Sequence, residues 1–482
     1  MDSQISRRDF FRLGAGLALT AVATSCAQPV AQAPAAPAQP AAPAQPAAPA
    51  QPAAPAKSAR NTLRVWMAWP EDYAACDYIK RVEFPQLTAK HQGVTGQLSY
   101  INWREITQKF VETSAAGMAP DVTDVSENYG NMGYLGFLAD LTDGARSWGA
   151  LDDFYPAVKK EATIKGKLIM LPIYYGTKCE YINKKVLAEA GLDPTKLPTT
   201  WVDFQQAAVK LTKKDSSGKF VRAGYNIATA SHGAYETFSG RWLAQLGSTD
   251  FDPEDRYLGK CRINSPEGLE AAKFFMDLVR EYGVYPVTGE RPWPDTVKNA
   301  VADGVLGIGE TGPWWIPNAR VTNPKAFEGD NIAILPATKA KAQAGNMDIA
   351  GLSVNKRSDI LDVAIDFAQI YIDAKNYKGM LMSDDPKGDP AKKCWMTTGR
   401  RSVNEAADFW IAQEPLMPVF KAALDYGVSP ARAHVGYIEY AIEVMIRAFE
   451  QMLYKMKSDK VILDAAAAQA DRIAQRTVRE WS

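Results

Sequence analysis

Gly166-Lys167-Leu168-Ile169-Met170-Leu171-Pro172 reads as a strand that runs into a proline, a residue that cannot donate to a ladder. Val186 to Ala190 follows as a helical turn closed by Gly191, which suits a left-handed cap. Thr200-Trp201-Val202-Asp203-Phe204 then opens a helix with Thr200 as its N-cap. The alternation continues outward on both sides. Leu63 to Trp66 is a short strand ending at Trp69-Pro70-Glu71, and Tyr78 to His91 is a helix. Ala119-Pro120-Asp121-Val122 opens a second strand, followed by a loop from Ser126 to Gly133. Glu267 to Tyr282 is an amphipathic helix, Val305 to Gly309 and Asn331 to Leu335 are strands, and Asp359 to Tyr371 and Glu439 to Met456 are long helices. Strands alternating with helices define an α/β class with parallel sheets. The length predicts two lobes, with a ligand at the carboxyl ends of the strands.

Composition excludes more than it identifies. Hydrophobic residues make up 46% and charged residues 23%, enough for a core of ordinary size. Fifty-five Lys and Arg balance fifty-five Asp and Glu, so no charge excess points to nucleic acid or to a polycationic partner. Twelve Trp, twenty Tyr and seventeen Phe suit flat ligand faces and a large core equally well. Cys76, Cys179, Cys261 and Cys394 form no Cys-x-x-Cys pair, which removes a zinc or thioredoxin-type reading. Their wide spacing favours buried free thiols over two disulfides.

The first sixty residues read as an address. Ser6-Arg7-Arg8-Asp9-Phe10-Phe11 resembles a twin-arginine signature ahead of an apolar stretch from Leu13 to Ala23, too short for a permanent span. Ala23-Thr24-Ser25-Cys26 resembles a lipobox, which implies lipidation of Cys26, although Ala23 and Ser25 depart from the commoner residues. A plain cleaved signal is the alternative. Residues 27–56 repeat Ala, Pro and Gln. Such a segment buries nothing, prefers polyproline conformations and reaches up to roughly 90 Å as a semi-stiff tether at about 3 Å per residue.

Four stretches, taken together, resemble the family 1 extracellular solute-binding proteins. They are the run from Gly166 through Tyr181-Ile182-Asn183-Lys184 to Phe204, the segment Gly117-Met118-Ala119-Pro120-Asp121-Val122, the turn Gly312-Pro313-Trp314-Trp315, and Gly399-Arg400-Arg401-Ser402, where a family proline is missing. The resemblance covers about residues 61–480. It implies a two-lobed α/β fold of the periplasmic-binding-protein type II, with lobe 1 from 61–173 and 352–399 and lobe 2 from 178–347 and 403–482. Crossovers are then expected near Tyr174 to Thr177, Asp348 to Gly351 and Thr398 to Ser402. It further implies capture of a sugar outside the membrane by a monomer and delivery to an ABC permease, with no cofactor, no metal and no nucleic acid.

A sugar presents edge hydroxyls and weakly apolar faces, so its site needs polar side chains and aromatic plates on loops at strand ends. Trp69, Glu71 and Asp72 follow the first strand, and Ser126, Glu127, Asn128 and Tyr129 follow the second. Tyr174 and Tyr175 lie at the first expected crossover, Tyr235 and Glu236 precede a helix, and Trp314 follows a Gly-Pro turn. Asp348, Arg401 and Tyr437 complete the candidates. For each, a surface turn, an ion pair or core packing is the plainer reading. Gly176 stands where maltose-type members often carry a carboxylate, which argues against a maltodextrin.

Catalytic motifs are missing: no Gly-x-Ser-x-Gly elbow, no His-Glu-x-x-His pair, and no phosphate loop at Gly304 to Gly312. A glycosidase would need two carboxylates about 5 to 10 Å apart, a distance that sequence does not give. The expected role is therefore binding, not catalysis. A polyamine or a glycerol phosphate remains an alternative ligand, and docking on a membrane receptor an alternative role.

Overall fold

The computed structural model describes residues 60–481 except 104, 127–128, 228–231, 289–290, 294–298, 390–391 and 393. The leader with Cys26, the Ala/Pro/Gln repeat, Glu127 and Asn128 lie outside the described residues.

Two mixed sheets organise the chain; one hydrophobic core packs on the first and extends to Cys179, Ile332 and Ile334 of the second, and another core packs on the second. The first contains β1 (Thr62–Met67), β2 (Thr95–Tyr100), β3 (Val122–Val125), β4 (Leu171–Thr177), and later β9 (Gly345–Val354) and β10 (Gly427–Val428). β1 alternates Leu63, Val65 and Met67 into the core with Thr62, Arg64 and Trp66 outward, the period-two pattern of a half-covered strand. It pairs in parallel with β2 and β3. β9 pairs antiparallel with β3 and β4 and parallel with β10. The second sheet holds β5 (Cys179–Asn183), β6 (Phe220–Tyr225), β7 (Leu306–Thr311) and β8 (Ile332–Leu335), with β6 and β7 parallel and β5 antiparallel to both β7 and β8. The architecture is α/β, with parallel strands in each sheet and antiparallel ones where the chain crosses between them.

Local signals account for the helices. The Thr200 side chain accepts from the Asp203 N–H and caps Trp201–Leu211. Ser265 caps Pro266–Arg280 in the same way, with Pro266 at the first helical position, where its missing N–H costs nothing. Gly191 adopts φ 70° at the expected cap. The loop expected from Ser126 is helical over Tyr129–Tyr134 because Tyr129 and Met132 are buried against the first core.

Two boundaries differ from the sequence reading for physical reasons. Lys167–Leu168 is a separate short strand, and Pro172 lies inside β4 instead of ending it. The register slips between Ala350 and Gly351, and Pro172 faces Gly351 at that irregularity, where no ladder N–H is required of it. The third crossover is not at Thr398 to Ser402. Thr397 bonds to the Tyr175 backbone, and Arg400 binds Asp153 and the Ile372 carbonyl, all within the first core. Val403 and Phe409 also pack there, the helix Met417–Ala423 packs on strands of both sheets, and the chain from Tyr437 to Ile473 packs in the second core. The observed crossovers are β4 into β5, β8 into β9, and the stretch between Leu424 and Tyr437.

Cys76, Cys179, Cys261 and Cys394 are buried free thiols. Burial pushes those of Cys76, Cys261 and Cys394 up to about 12 and that of Cys179 higher still.

A Cβ on Gly351 would meet the Met170 side chain and the Leu171 carbonyl oxygen at 2.7 Å. Gly351→Ala should therefore cost about 1–3 kcal/mol through overpacking at the crossover strand, read as a lowered urea midpoint with an unchanged denaturant slope.

Candidate ligand-binding site

The carboxyl ends of the first-sheet strands and the crossovers converge on one cavity of about 350 Å³. Ala68 and Trp69 follow β1, Trp103 follows β2, and Asp124 and Ser126 end β3. Tyr174 lies in β4, Lys178 between β4 and β5, and Asp348, Ile349 and Ala350 in β9. Glu236, from the helix His232–Thr237, Trp314 and Met396 close it. Trp314 meets Tyr174 edge to face, with ring centroids 5.4 Å apart at 83°. Its ring folds back over Gly312, where a Cβ would lie 1.8 Å from it, so only glycine lets the turn present this plate. Trp103 approaches the His232 ring at 6.2 Å, bringing a residue after β2 to one that packs beside the second core.

Lys178, Glu236 and Asp348 line the cavity, and the buried Arg432 lies behind them. Lys178 Nζ lies 2.8 Å from Glu236 and 3.3 Å from Asp348. Arg432 is 1% exposed; it contacts Glu236, donates to Asp348 at 2.5 Å and donates to the Met347 carbonyl at 2.9 Å. Burial would raise the Glu236 carboxyl, but Lys178 and Arg432 outweigh it and hold the group well below its usual range. Burial would lower the Lys178 ammonium, yet Asp348 and Glu236 carry it above its usual range. His232, with Nδ1 3.9 Å from Glu236, is held below its ordinary value mainly by burial. Beside this neutralised cluster, the Tyr174 hydroxyl, Ser126 Oγ and Asp124 Oδ1 are buried without a hydrogen-bond partner.

Among the sequence candidates, Trp69, Ser126, Tyr174, Glu236, Trp314 and Asp348 line the cavity. Others do not. Glu71 is exposed, paired with Lys80 at 3.3 Å, and Asp72 is exposed, paired with Lys392 at 2.5 Å, because the turn after Pro70 faces solvent. Tyr129 is buried in the helix Tyr129–Tyr134 and donates to Glu161 at 2.5 Å. Tyr175 donates to the Leu424 carbonyl at 2.6 Å, since it points to the face of β4 opposite to that of Tyr174. Tyr235 and Tyr437 are fully buried in the second core, with the Tyr437 hydroxyl 3.2 Å from His232 Nε2. Arg401 is exposed over the Tyr155 ring at 5.4 Å. Sequence reasoning missed Trp103, Asp124, Lys178, Arg432 and Met396. Lys178 carried a signal, a cation directly after an expected crossover; Arg432 carried none. Among the described residues, no group of three or more His, Cys, Asp or Glu side chains could hold a metal ion.

A second cavity, of about 250 Å³, lies near Glu161, Asp250, Arg256 and Ser429. It has Phe251 as its one aromatic wall and does not touch the charge cluster.

Residues 84–391, well over half of the chain, match the family described as bacterial extracellular solute-binding protein. The chain belongs to that family. Among curated relatives, a mannitol-binding protein of Pseudomonas aeruginosa is 26% identical over 28% of this chain, and an arabinooligosaccharide-binding protein of Halalkalibacterium halodurans is 23% identical over 42%. These matches span 29% and 43% of the relatives' own lengths. An ABC transporter solute-binding protein from Thermotoga lettingae TMO, bound with α-D-tagatose, superimposes with a TM-score of 0.70 at 19% identity, over 86% of this chain and all of that one. The cyclic α-maltosyl-1,6-maltose binding protein of Arthrobacter globiformis gives 0.66 at 20% identity, over 86% and 99%. At these identities the likeness establishes the shared two-lobed fold. Within this solute-binding fold, no helix among the described residues is long and apolar enough to cross a membrane.

Arg432→Met should strip two buried carboxylates of their shared cation and destabilise the protein by about 3–5 kcal/mol, because an uncompensated buried charge remains. Chemical denaturation at neutral pH reads this loss.

Proposed function

We propose that this protein captures a sugar or sugar alcohol in the Trp69–Trp103–Trp314 cavity and delivers it unchanged to an ABC permease. One observation carries the reading: aromatic plates, a self-neutralised charge cluster and buried unpartnered polar groups share a cavity formed at the crossovers between two cores. Rings cover the apolar faces of a sugar while fixed donors and acceptors take its hydroxyls. The mannitol- and arabinooligosaccharide-binding relatives and the tagatose-bound structure support this ligand class.

The two cores act as lobes joined at the crossovers. A ligand that touches Trp69 and Ser126 on one side and Glu236 on the other favours the closed arrangement, since only there are all contacts made. The charge cluster serves binding: each of its carboxylates is held by Lys178 and Arg432, so neither is a free acid for glycoside cleavage. The protein works as a monomer on the outer face of the cytoplasmic membrane. Cys26 carries the lipid after export through a twin-arginine-type signal, and residues 27–56 are the tether.

Thermal unfolding against hexitols, monosaccharides and neutral oligosaccharides should show a concentration-dependent rise for the cognate compound, with no product formed. Trp314→Ala should weaken that compound at least tenfold, about 1.4 kcal/mol, with the fold intact; an unchanged Kd in calorimetry removes Trp314 from the site. Cys26→Ser should move the protein from the membrane fraction to the soluble fraction; unaltered fractionation rejects the anchor.

A further inference from the structure

Asp124 is 2% exposed and lines the ligand cavity. Its Oδ2 accepts the Ala68 N–H at 3.3 Å, and its Oδ1 has no hydrogen-bond partner. The cavity's nearby charges are committed elsewhere: Lys178 and Arg432 neutralise Glu236 and Asp348, two against two. Asp124 is in no ion pair among the described residues. An isolated buried carboxylate is expensive to keep, and a well-packed core has no use for one in a strand that is otherwise apolar or threonine. We infer that Asp124 sets the charge rule of the site: it takes the hydroxyl of an uncharged polyol or sugar and rejects a ligand bearing a carboxylate or phosphate there. Ser126 and Tyr174, whose hydroxyls are equally unpartnered, line the same cavity and would share that ligand's hydroxyls.

The electrostatics agree with the geometry. Burial raises the Asp124 carboxyl to about 7, with the Ala68 N–H the one interaction that lowers it. Tyr174, Lys178, Glu236 and Asp348 share the cavity lining with it, and the Cys76 thiol and Tyr371 phenol lie near it from the helices Ala74–Tyr78 and Leu361–Ile372. For a carboxyl raised in the folded state, the cost to stability is absent below its ordinary value near 3.8 and complete above about 7. Ligand hydroxyls favour the ionised form, so sugar affinity should rise with pH through the same interval.

The ligand class rests on the sugar reading above, whereas the unpaired charge does not, and the experiment separates them. Asp124→Asn should raise the ligand-free Tm at pH 8 by about 2 °C or more, with the gain shrinking toward pH 5. In the wild type, neutral compounds are compared with carboxylate counterparts of the same skeleton: mannitol with mannonic acid, and maltose and mannotriose with their aldonic acids. The acid of any compound that binds should be weaker by at least tenfold, and Asp124→Asn should weaken the neutral form and narrow that ratio. A fall in Tm at both pH values, or wild-type binding of the acid as tight as its neutral counterpart, overturns the proposal. The wild-type comparison needs no variant to fold. If no neutral compound binds while Asp124→Asn still stabilises the free protein at pH 8, the sugar reading fails and the unpaired functional charge stands.

Discussion

The four-charge cluster of Lys178, Glu236, Asp348 and Arg432 is the constraint around which the site is built. Its members come from four separate places: the joint between β4 and β5, the helix His232–Thr237, β9, and the stretch leading to the C-terminal helices. Three of these are the places where the chain passes between the two cores. Buried charges are tolerable only when each meets an opposite charge at hydrogen-bonding distance. The cluster therefore fixes the relative placement of the crossovers more tightly than apolar packing, which is non-directional. It also leaves the floor of the cavity polar but without net charge, a surface that hydroxyls can approach.

The aromatic walls depend on a different restriction. Trp314 reaches the cavity because Gly312 has no side chain to collide with its ring, and its ring and that of Tyr174 meet edge to face. Neighbouring rings divide sharply by role. Tyr175, one residue from Tyr174, is committed to the Leu424 carbonyl, and Trp315, beside Trp314, stacks on Tyr181 at 4.4 Å within the packed interior. Adjacent positions in one strand or turn thus serve opposite ends, one for packing and one for contact.

Much of this was legible in the chain. The caps at Thr200 and Gly191 and the alternation of strands and helices follow from local chemistry that the fold retains. Trp314, Tyr174, Glu236 and Asp348 were within reach because turn residues and crossovers mark where a cavity can open. The misses have a common cause. Asp124 is a polar residue in a buried strand, and sequence periodicity does not say which face of a doubly covered strand opens on a cavity. Arg432 lies far along the chain from its carboxylate partners, and long-range ion pairing leaves no local trace. The turn holding Glu71 and Asp72 looked like a strand-end contact loop, but Lys80 and Lys392 draw both acids outward. The third crossover was displaced because Arg400 is anchored by Asp153, a pairing between residues on opposite sides of the second lobe's insertion.

The sealed thiols have a consequence for where such a protein can work. Cys76, Cys179, Cys261 and Cys394 lie inside packed interiors and resist forming thiolates. Nothing in the described fold uses a covalent cross-link. Reduction of disulfides therefore removes no cross-link from the described fold, and thiol oxidants reach these four cysteines only where the packing opens.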